Sequence, residues 1–199
     1  MPMMSERRAM LPQIIISSTT PAGEKNIELF SRMYKDRIVF CFSEINDELA
    51  ASIIAQLLAL DSQSHEDIHL YINSPGGSVT SGLAIIDTMN LVSSDINTCA
   101  FGMCASMGAV VLAAGAKGKR EALEHARILI HQVLGQTSGQ ATDIEIAAAE
   151  IKKTKDELNR LLAEYTGQPL EVIAKDTERD HHFDAQSAME YGLIDKVLK

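Results

Sequence analysis

The chain has 199 residues, of which 46% are hydrophobic and 23% charged, and this globular composition excludes a wholly disordered protein. Tryptophan is absent and aromatic residues make up only 5%, so the core is expected to be aliphatic. A net charge of −9 argues against a nucleic-acid binder, because such proteins need basic residues against the phosphates. No apolar run approaches the ~20 residues that cross a membrane. Three scattered cysteines favour reduced thiols, so we expect a cytoplasmic protein.

The chain begins with a proline-rich stretch and continues with alternating strands and helices. Residues 1–26 hold three of the five prolines and predict a flexible N-terminal arm, which leaves 27–199 as a single domain. Apolar patterns then predict strands over 38–42, 68–72, 96–101 and 127–130. Helical spacing predicts helices over 46–60, 78–92 and 106–116. This alternation predicts an α/β fold with mostly parallel sheets covered by helices. A helix over 185–191 and a strand over 193–198 are expected to close the chain.

One predicted helix, over residues 142–165, is long for so small a domain. Its apolar residues recur every seven positions, at Ile144, Ile151, Leu158 and Tyr165. Thr142 and Glu145 form a capping box that predicts its start, and Gly167 predicts its end. At 1.5 Å per residue the helix spans roughly 36 Å. The pattern leaves two arrangements open: the helix lies across the sheet, or it projects and buries its apolar stripe against another subunit.

Several residues at strand ends suit catalysis. Ser106 lies where a predicted strand passes into a helix, so it either caps that helix or acts as a nucleophile beside the first helical N–H groups. The Pro-Gly-Gly turn at 75–77 is either a plain turn or the donor of an unobstructed N–H group. His131 ends a strand, and Asp180 lies in a charged loop. Together the three side chains suit the nucleophile, the base and the group that orients the base, although their spacing alone does not select them.

Cofactor and metal sites have no support in the sequence. The glycine-rich patterns that cradle nucleotides are absent. The adjacent His181 and His182 have no evident third ligand, and neighbouring side chains on an extended segment point apart. We therefore predict a protein without cofactor or metal.

Between about residues 29 and 198 the chain resembles the proteolytic subunits of the Clp protease, the caseinolytic serine peptidase family. The specific stretches begin with Tyr-Ile-Asn-Ser-Pro-Gly-Gly-Ser-Val at 71–79 and Gly-Met-Cys-Ala-Ser-Met-Gly at 102–108. Further matching stretches cover residues 114–120, 130–132, 139–146, 176–180 and 190–195. The resemblance implies a crotonase-like fold in which the long helix is a projecting handle that interlocks two stacked seven-membered rings.

The resemblance also implies roles for individual residues. Ser106 matches the nucleophile, His131 the general base and Asp180 the acid that orients it. Gly77 and Met107 match the two N–H donors of the oxyanion hole.

Binding and assembly residues are implied in the same way. Ser78 and Val79 are expected along the extended peptide substrate, and Glu178 and Arg179 match a charge contact between rings. On the handle, Ile151 and Leu158 are expected to face a partner subunit.

The implied activity is that of an ATP-independent serine endopeptidase that degrades unfolded proteins inside a ring chamber and is fed by a separate AAA+ unfoldase, a Clp ATPase. The chain departs from the family pattern at Val133, where the family has proline, at Gln136, where it has glycine, and over 123–125. These departures suggest a divergent paralogue that works beside a second, more typical subunit. Two alternatives stay open: a weakly active or inactive ring partner, and a crotonase-type acyl-CoA enzyme with the same fold.

Overall fold

The computed structural model describes residues 15–20 and 23–199, and these form two compact units divided between Asp36 and Arg37. In the first unit, β1 (Ile15–Thr20) and β2 (Gly23–Glu28) pair antiparallel, and α1 (Leu29–Lys35) follows them. Glu28 caps α1 because its carboxylate accepts a hydrogen bond from the Ser31 N–H at 2.8 Å. The flexible arm predicted over 1–26 lies largely outside the described residues, and its mobility stays a prediction.

The second unit alternates strands and helices as the sequence predicted. Its first half contains β3 (Ile38–Cys41), α2 (Asp47–Asp61), β4 (Ile68–Ser74), α3 (Val79–Leu91), β5 (Ile96–Ala105), α4 (Met107–Ala113), β6 (Arg120–Leu123) and β7 (Arg127–Ile130). Its second half contains α5 (Ala141–Thr166), α6 (Leu170–Asp176), β8 (His181–Asp184), α7 (Ala185–Tyr191) and β9 (Lys196–Leu198).

Seven strands of this unit form one sheet. Parallel pairs join β3, β4, β5, β6 and β9 in that order, while β7 pairs parallel with β5 and antiparallel with β8. The mostly parallel α/β sheet predicted from the sequence is therefore confirmed. Its core is aliphatic, as expected, with side chains such as Ile53, Leu57, Leu70 and Ile72 fully buried. Each such side chain contributes about 1.5–3 kcal/mol to stability.

Strand β5 bends at Gly102, and this bend decides where the functional side chains lie. Before the bend β5 pairs with β6, and after it β5 pairs with β7. Gly102 has φ +66°, and a Cβ there would lie 3.2 Å from the Asn73 Oδ1 atom, so glycine suits the position. Asn73 Oδ1 also accepts a hydrogen bond from the Met103 N–H at 3.2 Å. The strand thus continues to Ala105, and the predicted end at residue 101 is wrong.

The long helix α5 spans 26 residues, close to the predicted range. Its N-cap is Gln140, without a side-chain capping bond, so the predicted capping box is wrong. Thr142 and Glu145 already lie inside the helix, because it begins at Ala141. Its end is confirmed, since Gly167 closes it with φ +74°. None of the described helices is both long enough and apolar enough to cross a membrane.

Candidate active site

The pairing of β5 with β7 places Ser106 and His131 after the ends of two neighbouring strands. Ala105 lies opposite Leu129 in the register, and the Ser106 N–H donates a hydrogen bond to the Leu129 carbonyl at 2.8 Å. β7 ends at Ile130, so His131 leaves the sheet at the same edge. Because β5 and β7 are parallel, Ser106 and His131 both lie at the C-terminal ends of their strands, which is where sites of α/β folds are found.

The pairing of β7 with β8 then brings in Asp180. Ile130 lies opposite His181 in this antiparallel pair, so the residue before β8 comes next to His131. The His131 Nδ1 and Asp180 Oδ1 atoms are 3.7 Å apart, which exceeds the usual length of a hydrogen bond. The side chain of His131 is 16% exposed and that of Asp180 is 66% exposed. The two groups are therefore near neighbours with the carboxylate largely in solvent.

Ser106 adopts an uncommon backbone conformation. Its φ of +54° is one of two positive values among the described non-glycine residues. It precedes α4 in the N-cap position, yet its hydroxyl makes no capping hydrogen bond. Every residue of α4 is buried, so the following helix is fixed in the core. The hydroxyl is thus held on a strained turn without a capping role, and it remains available for chemistry.

The glycine turn before α3 packs against this serine. Gly76 and Gly77 have φ values of +94° and +144°. A Cβ at Gly76 would lie 2.7 Å from the Ser106 Cβ and 3.0 Å from the Met107 nitrogen. The turn is fixed by Ile45, whose N–H donates to the Gly76 carbonyl at 2.7 Å. Only glycine permits so close an approach of the two backbones.

The N–H groups of Gly77 and Met107 were predicted to form an oxyanion hole. Within the described part of the chain, neither group donates a hydrogen bond. Both residues line the same cavity as Ser106. Unpaired N–H groups beside a hydroxyl could stabilise an anion that forms there.

The cavity at this edge of the sheet has a volume of about 450 Å³. Its lining includes the side chains of α3, α4 and α5 and the segment that follows β7. Of the predicted site residues, it brings together Gly77, Val79, Ser106, Met107, His131 and Leu158. Its wall is completed by apolar residues, among them Val110, Val133, Leu134 and Leu162. The space suits an apolar side chain beside a reacting group.

Ser78 and Val79, the predicted substrate contacts, lie in different surroundings. Ser78 is the N-cap of α3, and its Oγ accepts hydrogen bonds from the N–H and the hydroxyl of Ser81 at 3.3 and 2.9 Å. Its own N–H donates to the Ile45 carbonyl at 2.8 Å. Val79 lines the cavity, so it is the more direct candidate for contact with a substrate.

The predicted ring contacts Glu178 and Arg179 lie outside the cavity lining. Glu178 accepts a hydrogen bond from the Lys155 Nζ at 2.7 Å, and its carbonyl accepts one from the Gln132 Nε2 at 2.8 Å. The hydrogen bond and charge of Lys155 hold the pKa of the Glu178 carboxyl below its ordinary value, and the charge of Arg179 adds to this. Arg179 itself is exposed.

The predicted handle contacts Ile151 and Leu158 are both partly covered by this chain. Leu158 lines the cavity, and a Cβ at Gly135 would meet the Ile151 side chain. By contrast, Ile144 near the start of α5 is 39% exposed. The apolar stripe therefore packs on its own chain toward its C-terminal end and is open toward its N-terminal end.

Cys104 precedes Ser106 by two residues, so the thiol is a rival nucleophile. It is fully buried, and its Sγ lies 3.3 Å from the Ile72 carbonyl, to which it donates. Burial raises the pKa of the Cys104 thiol well above its ordinary value, and the pKa of Cys41 to about 12. A thiol is nucleophilic as its thiolate, so Ser106 is the better candidate.

Four polar residues of the cavity wall were not predicted from the sequence: Glu44, Gln132, Lys155 and Asn159. For two of them the sequence does contain a usable signal, a polar residue on an apolar helix stripe. Lys155 and Asn159 fall four and eight residues after Ile151, on the apolar stripe of α5. Polar side chains at such positions point into a site or a contact. Elsewhere, among the residues described, no cluster of three or more His, Cys, Asp or Glu side chains could hold a metal.

A family model described as Clp protease matches residues 21–199, which is most of the chain. The family resemblance and the fold predicted from the sequence motifs are both confirmed. The chain therefore belongs to the Clp protease family, whose members are serine peptidases, are generally oligomeric and work with Clp ATPases.

Proposed function

We propose that this chain is a serine endopeptidase subunit that cuts unfolded proteins into peptides inside a chamber of stacked seven-membered rings. The observation that carries the proposal is that Ser106 and His131 line one cavity and that the His131 Nδ1 lies 3.7 Å from the Asp180 Oδ1. Family membership supports the reaction class. The chain itself needs no nucleotide, and a separate AAA+ unfoldase delivers the substrate in the cytoplasm.

The reaction follows from the chemistry of these groups. The Ser106 Oγ attacks the carbonyl carbon of the substrate, and His131 takes the hydroxyl proton and then gives it to the leaving amine. Asp180 orients the imidazole and stabilises its charged form. Water then hydrolyses the acyl-enzyme with His131 again as base.

The N–H groups of Gly77 and Met107 stabilise the oxyanion of the tetrahedral intermediate. Each such donor typically contributes about 10²–10³-fold to kcat. Val79 borders the substrate chain, and the apolar wall formed by Val110, Leu158 and Leu162 receives a side chain next to the cut bond.

The test is reaction with a fluorophosphonate, combined with hydrolysis of a fluorogenic peptide. The wild type should be labelled at Ser106 and should release the fluorophore, whereas Ser106→Ala should do neither and should keep its assembly. Ser52→Ala is the matched control, because this serine is exposed on α2, away from the cavity lining. Peptidase activity of Ser106→Ala within tenfold of the wild type would reject the proposal.

One observation favours a second candidate, a ring partner that is weakly active by itself. His131 and Asp180 are 3.7 Å apart, and Asp180 is largely exposed, so the isolated chain lacks a close contact between base and acid. In that case fluorophosphonate labelling would be slow for the isolated chain and would rise when a paralogous subunit is added.

A further inference from the structure

Asp180 is weakly held by its own contacts. Its side chain is 66% exposed and stands 3.7 Å from the His131 Nδ1. The residue belongs to the short connection between α6 and β8, so its position must depend on the neighbouring residues of this connection, Thr177 and Glu178.

A hydrogen bond from Gln132 ties this connection to the His131 segment. The Gln132 Nε2 donates to the Glu178 carbonyl at 2.8 Å and lies 3.4 Å from the Glu178 Oε1. Gln132 follows His131 directly, and Glu178 precedes Asp180 by two residues. The bond therefore sets the separation of the two segments that carry the proposed base and acid.

Helix α5 holds the same connection at two points one turn apart. The buried Thr177 hydroxyl lies 3.0 Å from the Oδ1 of the equally buried Asn159. One turn earlier, the Lys155 Nζ donates to the Glu178 Oε2 at 2.7 Å. The side chains of Lys155 and Glu178 are 26% and 56% exposed. The first contact is a fixed anchor, and the second is a partly solvated ion pair that can open.

We propose that Lys155 is a positioning residue: its ion pair with Glu178 holds the Asp180 connection against α5 and so keeps Asp180 within reach of His131. This inference rests on the proposed peptidase function. A partly exposed ion pair contributes little to the stability of the fold. Small displacements near reacting groups still slow catalysis, so we expect a loss of about three- to tenfold in kcat rather than complete inactivation.

The experiment compares Lys155→Gln with Lys153→Gln in the full chain, using the kcat and KM of a fluorogenic peptide. Lys153 lies on the same helix and is 72% exposed, 3.8 Å from Glu150, so its variant removes the same charge without touching the Asp180 connection. Lys155→Gln should lower kcat about three- to tenfold and leave KM within twofold, since substrate still binds. Lys153→Gln should match the wild type.

Rescue separates positioning from a general structural effect. Lys155→Arg should recover at least half of the lost kcat, and Lys155→Glu combined with Glu178→Lys should exceed Lys155→Glu alone. Thermal melting and analytical ultracentrifugation of each variant report folding and assembly. An unchanged kcat in Lys155→Gln, a loss that only follows dissociation or unfolding, or the absence of rescue by arginine would overturn the positioning role.

The two proposals fail in different ways. A wild type that neither hydrolyses the peptide nor reacts with the fluorophosphonate overturns both of them. A wild type that is active, paired with a fully active Lys155→Gln, overturns the positioning role alone and leaves the peptidase standing.

Discussion

At the scale of single residues, the turn at Ser106 combines strain with rigidity. A non-glycine residue with φ +54° costs on the order of 1–3 kcal/mol, and the fold must compensate for it. The compensation comes from both sides, because Gly76 packs against its Cβ and the residues of α4 that follow are buried. Such a turn presents the hydroxyl at a constant position to whatever enters the cavity.

The role of Asp180 can be tested by a change that keeps its shape. Asp180→Asn cannot stabilise the charged imidazole of His131, so kcat should fall about 10³–10⁴-fold while the assembly stays intact. Peptide hydrolysis and ultracentrifugation measure the two properties.

Glu171→Gln serves as the control for this prediction, because it also removes one exposed negative charge, from α6. It should leave kcat unchanged. If Asp180→Asn remained as active as this control, another residue would orient His131, and Asp180 would be a surface residue.

Sequence patterns located some of these residues more easily than others. Ser106 and His131 directly follow apolar strands, and the ends of parallel strands are where α/β sites lie. Asp180 is different, because its place depends on the antiparallel pairing of β7 with β8. That pairing joins segments about 50 residues apart and leaves no periodic signal, so only the family resemblance pointed to Asp180. Candidate site residues can thus be located from the sequence when a local pattern, such as the end of an apolar strand, determines where they lie.

At the scale of elements, Arg120, the first residue of β6, joins the C-terminal ends of two helices to the sheet. Its Nη1 donates to the carbonyls of Tyr165 in α5 and Ala113 in α4, at 2.8 and 3.3 Å. Its Nη2 and Nε donate to the two carboxylate oxygens of Asp195, at 2.6 and 2.9 Å. Arg120 is 4% exposed. Because the bidentate pair with Asp195 holds the guanidinium in place, its Nη1 fixes the last turns of the helices that border the cavity.

Removing the carboxylate from this pair should destabilise the protein. Asp195→Asn leaves the buried guanidinium without its counter-charge, and we expect a loss of about 2 kcal/mol, below the range for fully buried pairs because Asp195 keeps some contact with water. Thermal melting at a fixed protein concentration measures the effect. Asp95→Asn is the control: that carboxylate is 60% exposed beside Lys119, so its loss should cost under about 1 kcal/mol.

The Arg120–Asp195 pair should also make the stability of the protein depend on pH. Burial raises the pKa of Asp195, but the hydrogen bonds and charge of Arg120 more than offset this, and the pKa lies below its ordinary value. A carboxyl with a lowered pKa stabilises the folded state above its unfolded pKa, and this stability is lost as pH falls through the folded pKa. The melting temperature of Asp195→Asn should therefore depend less on pH in the acid range than that of the wild type. Parallel curves for the two proteins would contradict this.

Long and periodic elements were predictable, whereas short ones were predictable only in part, since β7 and α7 match their predicted ranges but β6, β8 and α6 had no prediction. The spacing of apolar residues located α2, α3 and α5 within a few residues, because each buries one stripe of its surface. The strands β6 (Arg-Glu-Ala-Leu) and β8 (His-His-Phe-Asp) are as short as β7 but lack its run of three apolar residues, so no pattern marked them. The open end of the α5 stripe also could not be foreseen, since the segment around Gly135, which lies against Ile151, has no regular structure.

That open end predicts where assembly is most sensitive. Ile144→Asp places a charge on an apolar residue that is 39% exposed in the single chain, and burial of an unpaired carboxylate against another subunit costs several kcal/mol. We expect a smaller oligomer by size-exclusion chromatography with an unchanged circular dichroism spectrum. Ala149→Asp, on another face of the same exposed segment, should assemble normally. Normal assembly of Ile144→Asp would show that the stripe contacts no other subunit.

At the scale of the whole molecule, the neighbouring residues Glu178 and Arg179 are expected to act differently, one within the chain and the other between rings. Glu178 is already paired with Lys155 inside the chain. Arg179 is exposed, and so it is the member of the predicted ring contact that is free to reach an acidic group on the opposite ring. This division makes the two residues separable by mutation.

Arg179→Ala should therefore act through assembly. Its guanidinium is expected to meet an acidic group of the opposite ring, and although one exposed pair contributes under about 1 kcal/mol, a ring interface repeats the pair and desolvates it. The variant should shift toward single rings and lose peptidase activity in step with that shift. Raised salt should shift the wild type in the same direction, because salt screens the ion pair. Analytical ultracentrifugation beside a peptidase assay measures both.

Lys175→Ala, which removes an exposed charge from the end of α6, should change neither assembly nor peptidase activity. If Arg179→Ala stays fully assembled and active, this charge does not hold the rings together, and apolar burial at α5 must do so.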